Sequence, residues 1–463
     1  MENIEKSCIF AVSIYYTMIR RKAYQFLTEW KNSKTRKPLV IRGARQVGKT
    51  TLVKEFAKEY EVFLDLNLEK SDDRKLFEDY GNVHELITAI YFHKKQRKNS
   101  GKVLLFIDEI QFSKPAVAIL RYFYEEANDI HVIVAGSLLE TIIDVRKISF
   151  PVGRVQFMAL RPCSFLEFLD GTDNHFDIDL IENIRVGKGV HDRIIKAFHN
   201  YTLIGGMPAI VSQYAKTNDV LSLKEIYESL LLSYQDDVEK YTNNANLTQI
   251  IRTVLSIGWA SAGAVITFER FGGTFYSSKE ISAAFRTIQK AMLLDLVYPT
   301  SERRMPLLKN LKKRPKLIWL DTGLVNFAAG IQDEVFSVSD IQEVWRGRIA
   351  EHIVAQELLA YSNSLMENRV YWRRDKDGSE AEVDFVYSYN GLAIPMEVKS
   401  GHNSRLTSLH LFMEEAPHDI AIRVWSEPFS IDEVETKNGK QFKLINLPFY
   451  YIGMLEKILN ELK

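Results

Sequence analysis

The chain has 463 residues, with 60 Lys and Arg against 60 Asp and Glu, and is 46% apolar and 26% charged. That is the composition of an ordinary water-soluble protein, long enough for two to four domains. A formal net charge of zero excludes a chain-wide electrostatic draw to nucleic acid or to a membrane surface, so any such contact has to come from a local patch. Two cysteines, Cys8 and Cys163, make no disulfide framework and point to a reducing cytoplasm. The apolar stretch from Cys8 to Ile19 is too short to span a bilayer, and Glu2 and Glu5 before it do not suit a secretory signal. No membrane partner is expected.

Residues 1–17 match nothing that follows and are expected to be an extension, with Met18 as a candidate start. A basic helix is predicted from Met18 through Arg20-Arg21-Lys22 to Trp30. Pro38 to Ile41 reads as a short buried strand and Thr51 to Tyr60 as a helix, with Leu52, Val53, Phe56 and Ala57 on one side. Strands are predicted at Val62 to Leu66, Val103 to Ile107, Ile130 to Ala135 and Val155 to Leu160, with helices at Val83 to Phe92 and Ala116 to Ala127. This alternation implies an α/β domain with a parallel sheet and helices on both faces.

Cys163 to Asp237 reads as helical, broken at Gly205-Gly206-Met207-Pro208. Leu247, Ile250, Ile251 and Val254 have helical spacing, Ser278 to Leu294 reads as a second amphipathic helix, and Leu296 to Tyr298 as a strand. This order suits a helix-turn-helix with a wing. Residues 302–316 hold Arg303, Arg304, Lys309, Lys312, Lys313, Arg314 and Lys316 against Glu302 alone. Such a run is either a solvated hairpin or a contact for DNA. Ile341 to Tyr361 is predicted as a long helix, with strands at Val370 to Trp372, Glu382 to Tyr387 and Ala393 to Val398.

Two motifs carry chemistry. Gly43-Ala44-Arg45-Gln46-Val47-Gly48-Lys49-Thr50 fits G-x-x-x-x-G-K-[ST], between a predicted strand and a predicted helix. Backbone N–H groups and the positive helix end then converge on the phosphates of a nucleotide, with Thr51 in the first turn. Lys49 adds a point charge near the β- and γ-phosphates, and Thr50 can ligate Mg²⁺. The second motif is the apolar run Val103 to Ile107 ending in Asp108-Glu109, at the carboxyl end of a strand where α/β sheets bind ligands. Asp108 would hold Mg²⁺, directly or through water, and Glu109 would deprotonate the attacking water. ATP and Mg²⁺ are the expected cofactors.

Farther on, Glu351 lies on the long helix, Asp384 in one strand, and Glu397 and Lys399 at the end of the next, on one face by alternation. Three such carboxylates can converge on one hard cation, with Lys399 beside it to stabilise developing charge. A structural ion-pair cluster is the alternative, and spacing alone favours it.

These residues resemble the bacterial and archaeal predicted AAA-type ATPases that carry a C-terminal domain of unknown function. The resemblance runs from about Met18 onward. It rests on Pro38 to Thr50, Leu105 to Gln111, Ala135-Gly136-Ser137, Gly153-Arg154, Leu160 to Leu169, Gly205 to Pro208, Asp321 to Leu324 and Gly347 to Glu351. The last region, with Gly378, Asp384, Glu397, Val398 and Lys399, is similar to PD-(D/E)xK nuclease folds. The resemblance implies an AAA-type domain over 18–215, a helical and winged-helix-like region over 216–335 and a nuclease-like α/β domain over 336–463. It implies Ser137 as a sensor of the γ-phosphate. It also makes Arg154 a candidate arginine finger on a neighbouring copy in a homo-oligomer, with an ordinary surface ion pair as the alternative. No second-sensor arginine stands out, which leaves room for a switch-like ATPase. The expected function is Mg²⁺-dependent ATP hydrolysis with output to nucleic acid; the alternative is a regulatory ATPase whose C-terminal domains only bind a protein partner.

Overall fold

The computed structural model describes residues 19–98, 101–136, 150–330, 347–366, 369–374, 381–399 and 406–462. The extension at 1–17, Met18, Ser137 and Gly378 lie outside the described residues.

Five strands build the first sheet: β1 (Leu39–Arg42), β2 (Val62–Asn67), β3 (Val103–Asp108), β4 (Ile130–Gly136) and β5 (Gln156–Ala159). Their order is β2-β3-β4-β1-β5, and every pairing is parallel. A parallel sheet has to be covered on both faces, and β3 is buried along its whole length. Period-2 alternation divides it between two cores. Leu104 and Phe106 face the helix Lys49–Phe56 through Leu52, Val53 and Phe56. Leu105 and Ile107 face Leu86, Ile90 and Leu120 of the helices Val83–His93 and Lys114–Glu125. The expected α/β phosphate-loop domain is therefore present, with small corrections at its ends. The amino-terminal helix runs Ala23–Asn32, so Arg20 to Lys22 precede it and turn back onto the domain. The helix after the loop ends at Phe56 and tightens to one 3₁₀ turn.

The second sheet has eight strands: β6 (Leu294–Thr300), β7 (Lys316–Trp319), β8 (Val370–Arg373), β9 (Glu382–Tyr389), β10 (Leu392–Val398), β11 (Ile420–Trp425), β12 (Ser430–Glu435) and β13 (Gln441–Pro448). The order is β12-β13-β11-β10-β9-β8-β6-β7. The hairpin β6–β7 stands where a wing was expected, and it continues into this sheet: Tyr298 to Thr300 pair in parallel with Val370 to Trp372. The helices Ala245–Ile257 and Ser278–Lys290 precede the hairpin, and the second carries a capping box of Ser277 and Glu280. The long helix, expected from Ile341, is described over Arg348–Ala360.

A buried polar junction ties the two sheets together. Cys163 N donates to Gly206 O at 2.7 Å, and a side chain at Gly206 would meet Cys163 O at 2.1 Å. Asp321 caps the helix Thr322–Ala328 through Leu324 N and also accepts from Gly206 N. Tyr201 Oη lies 2.8 Å from Cys163 O and 2.6 Å from Glu357 Oε1, within reach of both, and Glu357 also accepts from Phe165 N. Burial pushes the carboxyl of Asp321 up to about 6 and that of Glu357 up to about 8.

Glu357 thus holds a proton in the folded chain that it loses in the unfolded one. Its contribution to stability is full below its ordinary value of 4.5 and is lost as pH rises toward 8. We expect Glu357→Gln to flatten this dependence. Between roughly pH 5.5 and 8.5 its melting temperature should fall less than that of the parent chain. Parallel melting curves across that range would show that Glu357 is ionised in the fold.

Candidate functional site

The phosphate loop leaves β1 at the carboxyl edge of the first sheet and enters the helix Lys49–Phe56. Gly43 is required by close approach: a Cβ there would stand 2.3 Å from Leu160 O. Gly48 is required by conformation, with φ +95° as the cap of the helix. The loop is also held from outside. Arg21 Nη1 donates to Val47 O at 2.9 Å, while Nη2 donates to Arg161 O and the guanidinium pairs with Glu167. The basic run before the first helix is thus a brace for the loop. Sequence reasoning did not assign that role, and no spacing signal marks it.

Lys49 is buried and donates to Gly43 O and Ala44 O, each at 2.9 Å. These are carbonyls of its own loop. Burial lowers its pKa to about 8, against the opposing pull of Glu109 and Asp108. Thr50 Oγ1 donates to Asp108 Oδ2 at 2.7 Å, and Asp108 Oδ1 accepts from Glu109 N at 3.0 Å. Thr50 and Asp108 thereby place two hard oxygen donors side by side next to the loop, the donor set that Mg²⁺ takes alongside phosphates. Glu109 has φ 51°, a left-handed conformation that costs a non-glycine residue about 1 kcal/mol or more. Gln111 Nε2 donates to its carboxylate. Burial raises the Glu109 carboxyl, partly offset by Gln111 and Lys49. A raised carboxylate beside the phosphate loop is suited to accepting a proton from water.

The structure thus brings Gly43 to Thr50, Thr51, Asp108 and Glu109 to one edge of the sheet. Arg154 is elsewhere: its guanidinium pairs with Glu125 at 2.8 Å on the exposed face of the helix Lys114–Glu125, where Arg121 shares the same carboxylate.

The C-terminal carboxylates gather around a lysine. Lys316, the first residue of β7 and almost fully buried, places Nζ 2.7 Å from Glu351, 2.9 Å from Glu382 and 3.2 Å from Asp384. Lys399 pairs with Glu397 at 2.7 Å. Asp384 Oδ2 accepts from Val398 N, which fixes it next to the Glu397 strand end. The expected convergence of Glu351 and Asp384 exists, but the cation between them is an ammonium. Neither Lys316 nor Glu382 was predicted there; within the basic run at 302–316 only burial distinguishes Lys316 from its exposed neighbours. Four carboxylates face two ammonium groups, so Glu351 and Glu397 are both raised, first by burial and then by Asp384. One oxygen, Glu397 Oε2, is buried without a hydrogen-bond partner. Among the described residues no group of three His, Cys, Asp or Glu side chains is disposed to hold a metal ion. Nor is any described helix long and apolar enough to cross a membrane.

Residues 35–169 match the family described as AAA domain. Residues 195–335 and 346–449 match two domains of unknown function, DUF8612 and DUF4143. No curated protein matches the chain. Among solved structures, the Walker-type ATPase paby2304 of Pyrococcus abyssi is similar at 14% identity, covering 67% of this chain and 96% of that one, with a TM-score of 0.40. The Aeropyrum pernix ORC1 protein in complex with DNA is similar at 11% identity, covering 71% and 97%, with a TM-score of 0.28. The Thermotoga maritima RuvB Holliday junction branch migration motor is similar at 14% identity, covering 63% and 91%, with a TM-score of 0.28. The AAA match is confined to the amino-terminal part, where the parallel sheet and the phosphate loop lie.

Two predictions follow from the charges. Below about pH 8 Lys49 carries its ammonium, whereas above it ATP binding has to draw a proton from solvent. ATP affinity should therefore fall as pH rises through 8, by up to about tenfold per unit, with proton uptake visible by calorimetry in buffers of different ionisation enthalpy. An affinity that stays flat from neutral pH to well above 8 would mean that the lysine is already fully charged. Separately, Lys316→Met leaves Glu351, Glu382 and Asp384 with no cation between them. It should cost about 3–5 kcal/mol in denaturant unfolding; a loss under about 1 kcal/mol would show the cluster to be solvated.

Proposed function

We propose that the protein is a Mg²⁺-dependent ATPase that uses hydrolysis as a conformational switch, with output to a nucleic acid through its two C-terminal regions. The observation that carries the reading is the placement of Lys49, Thr50, Asp108 and Glu109 around one phosphate loop. Backbone N–H groups of Gly43 to Gly48 and the Lys49 ammonium would hold the phosphates. Thr50 and Asp108 would hold the Mg²⁺, which supplies charge neutralisation between the β- and γ-phosphates. Glu109 would take the proton of the attacking water. Ser137 is assigned to the γ-phosphate by the resemblance alone. Arg154 is exposed enough to reach a neighbouring copy, and leaving Glu125 would cost it little.

Two features support nucleic acid as the partner. The helices Ala245–Ile257 and Ser278–Lys290 with the β6–β7 hairpin form a winged-helix-like order, and the loop joining the two strands exposes Arg304, Lys309, Lys312, Lys313 and Arg314. Asp384 and Glu397, on the antiparallel strands β9 and β10, fit a nuclease-like centre, and the unpartnered Glu397 Oε2 fits a cation there. A metal held by this pair would polarise a phosphodiester. The second reading keeps these regions as binding modules for a protein. It is favoured by Lys316, which already neutralises the Glu351 side of the cluster.

The ATPase is tested with Glu109→Gln, which should retain ATP binding and lose at least about a hundredfold in turnover. Normal steady-state hydrolysis by that variant would remove Glu109 from its role. The output is tested by adding duplex DNA, single-stranded DNA and RNA to the ATPase assay, and by Mn²⁺ binding to the parent and to Asp384→Asn. Stimulation by one nucleic acid together with Asp384-dependent Mn²⁺ binding supports the first reading. Neither effect, with hydrolysis intact, leaves the protein-binding reading.

A further inference from the structure

One residue of the phosphate loop is engaged with a distant part of the chain. Arg45, between the loop's two fixed glycines, places Nη1 2.8 Å from Asp237 Oδ1. Its backbone carbonyl accepts from Tyr234 Oη at 3.3 Å. Tyr234 and Asp237 lie at the end of the helix Lys224–Asp236, and the helices Val238–Tyr241 and Ala245–Ile257 follow directly. The Asp237 carboxylate is buried, while the Arg45 guanidinium is 42% exposed. Asp237 has a second cation in reach, Lys240 Nζ at 2.7 Å from the same oxygen. Arg45 also lies within electrostatic reach of Glu109 and Glu69.

We propose that Arg45 exchanges Asp237 for the γ-phosphate when ATP binds, and that this exchange reports the nucleotide state to the helices from Lys224 onward. Three features make the exchange possible. A guanidinium binds carboxylate and phosphate with the same planar fork, so the two acceptors compete for it. The ATP phosphates bring several negative charges to a loop whose own lysine is otherwise spent on carbonyls. Asp237 is not left bare when Arg45 departs, because Lys240 stays with it. ADP, which lacks the γ-phosphate, leaves the Arg45–Asp237 pair in place.

The inference rests on ATP being the ligand, and the test separates the two. Affinities for ADP and for a non-hydrolysable ATP analogue are measured on the full chain and on Asp237→Asn, Arg45→Gln and the double variant. With its competitor removed, Asp237→Asn should bind the analogue about fivefold tighter relative to ADP. Arg45→Gln should lose the preference for the analogue, and adding Asp237→Asn to it should change nothing further. Hydrogen exchange on the unaltered chain gives a readout that no variant's folding can spoil. Amides of residues 234–245 should exchange faster with the analogue than with ADP. An unchanged analogue-to-ADP ratio in Asp237→Asn, or equal exchange with the two nucleotides, overturns the proposal while the ATPase reading stands. Failure to bind either nucleotide would overturn both.

Discussion

The buried contact between Cys163, Gly206 and Asp321 is the constraint on which the rest of the molecule depends. Three stretches far apart in the chain meet there with almost no room: the segment after the first sheet, the glycine turn before Pro208, and the cap of the helix Thr322–Ala328. A Cβ at Gly205 would meet Asp321 at 2.1 Å and one at Gly323 would meet Ile204 O at the same distance. Low dielectric strengthens each hydrogen bond in such a junction and makes each loss expensive. Arg161, two residues before the junction, carries the carbonyl that Arg21 grips along with Val47. The position of the phosphate loop is therefore set in part by packing that belongs to the C-terminal half.

What could be read from the sequence divides along a physical line. The phosphate loop and the Asp108-Glu109 strand end are local devices, built from neighbouring residues whose order is dictated by the chemistry of phosphate and Mg²⁺. Alternation and helical spacing likewise act over a few residues, so most strands up to Val398 were legible with small errors at their ends, whereas the helices Ser71–Asp79 and Thr322–Ala328 and the strand β7 were not assigned. The contacts that complete the sites span long separations: Arg21 to Val47, Arg45 to Asp237, Lys316 to Glu351 and to Asp384. No periodicity encodes them. Lys316 shows this best. It ends a run of basic residues most of which are exposed, and what buries it is the pairing of β7 with β6 and its packing under Tyr371 and Phe385. The three strands β11 to β13 carry no chemical motif, and the sequence reading assigned none of them.

The two charged centres solve one problem in different ways. Around the phosphate loop the cations are held on the chain's own acceptors, Lys49 on carbonyls and Arg45 on Asp237, and phosphates would compete for both. Around β9 and β10 the excess charge is negative, and the chain supplies its own cations from β7 and from Lys399. A centre neutralised by side chains holds its shape without a ligand. The contacts of the first can be exchanged for those of a ligand, whereas those of the second are made within the chain.

The parallel pairing of β6 with β8 also decides where this molecule can be cut. Family boundaries fall near residues 335 and 346, and such a gap invites truncation into separately expressed halves. Yet Tyr298 to Thr300 and Val370 to Trp372 are hydrogen-bonded neighbours inside one sheet. Severing the halves would bare a raw strand edge on each, the kind of surface along which chains stack into aggregates. It would also strip Lys316 from the acids it neutralises. The two matched regions thus share one sheet across the boundary between them.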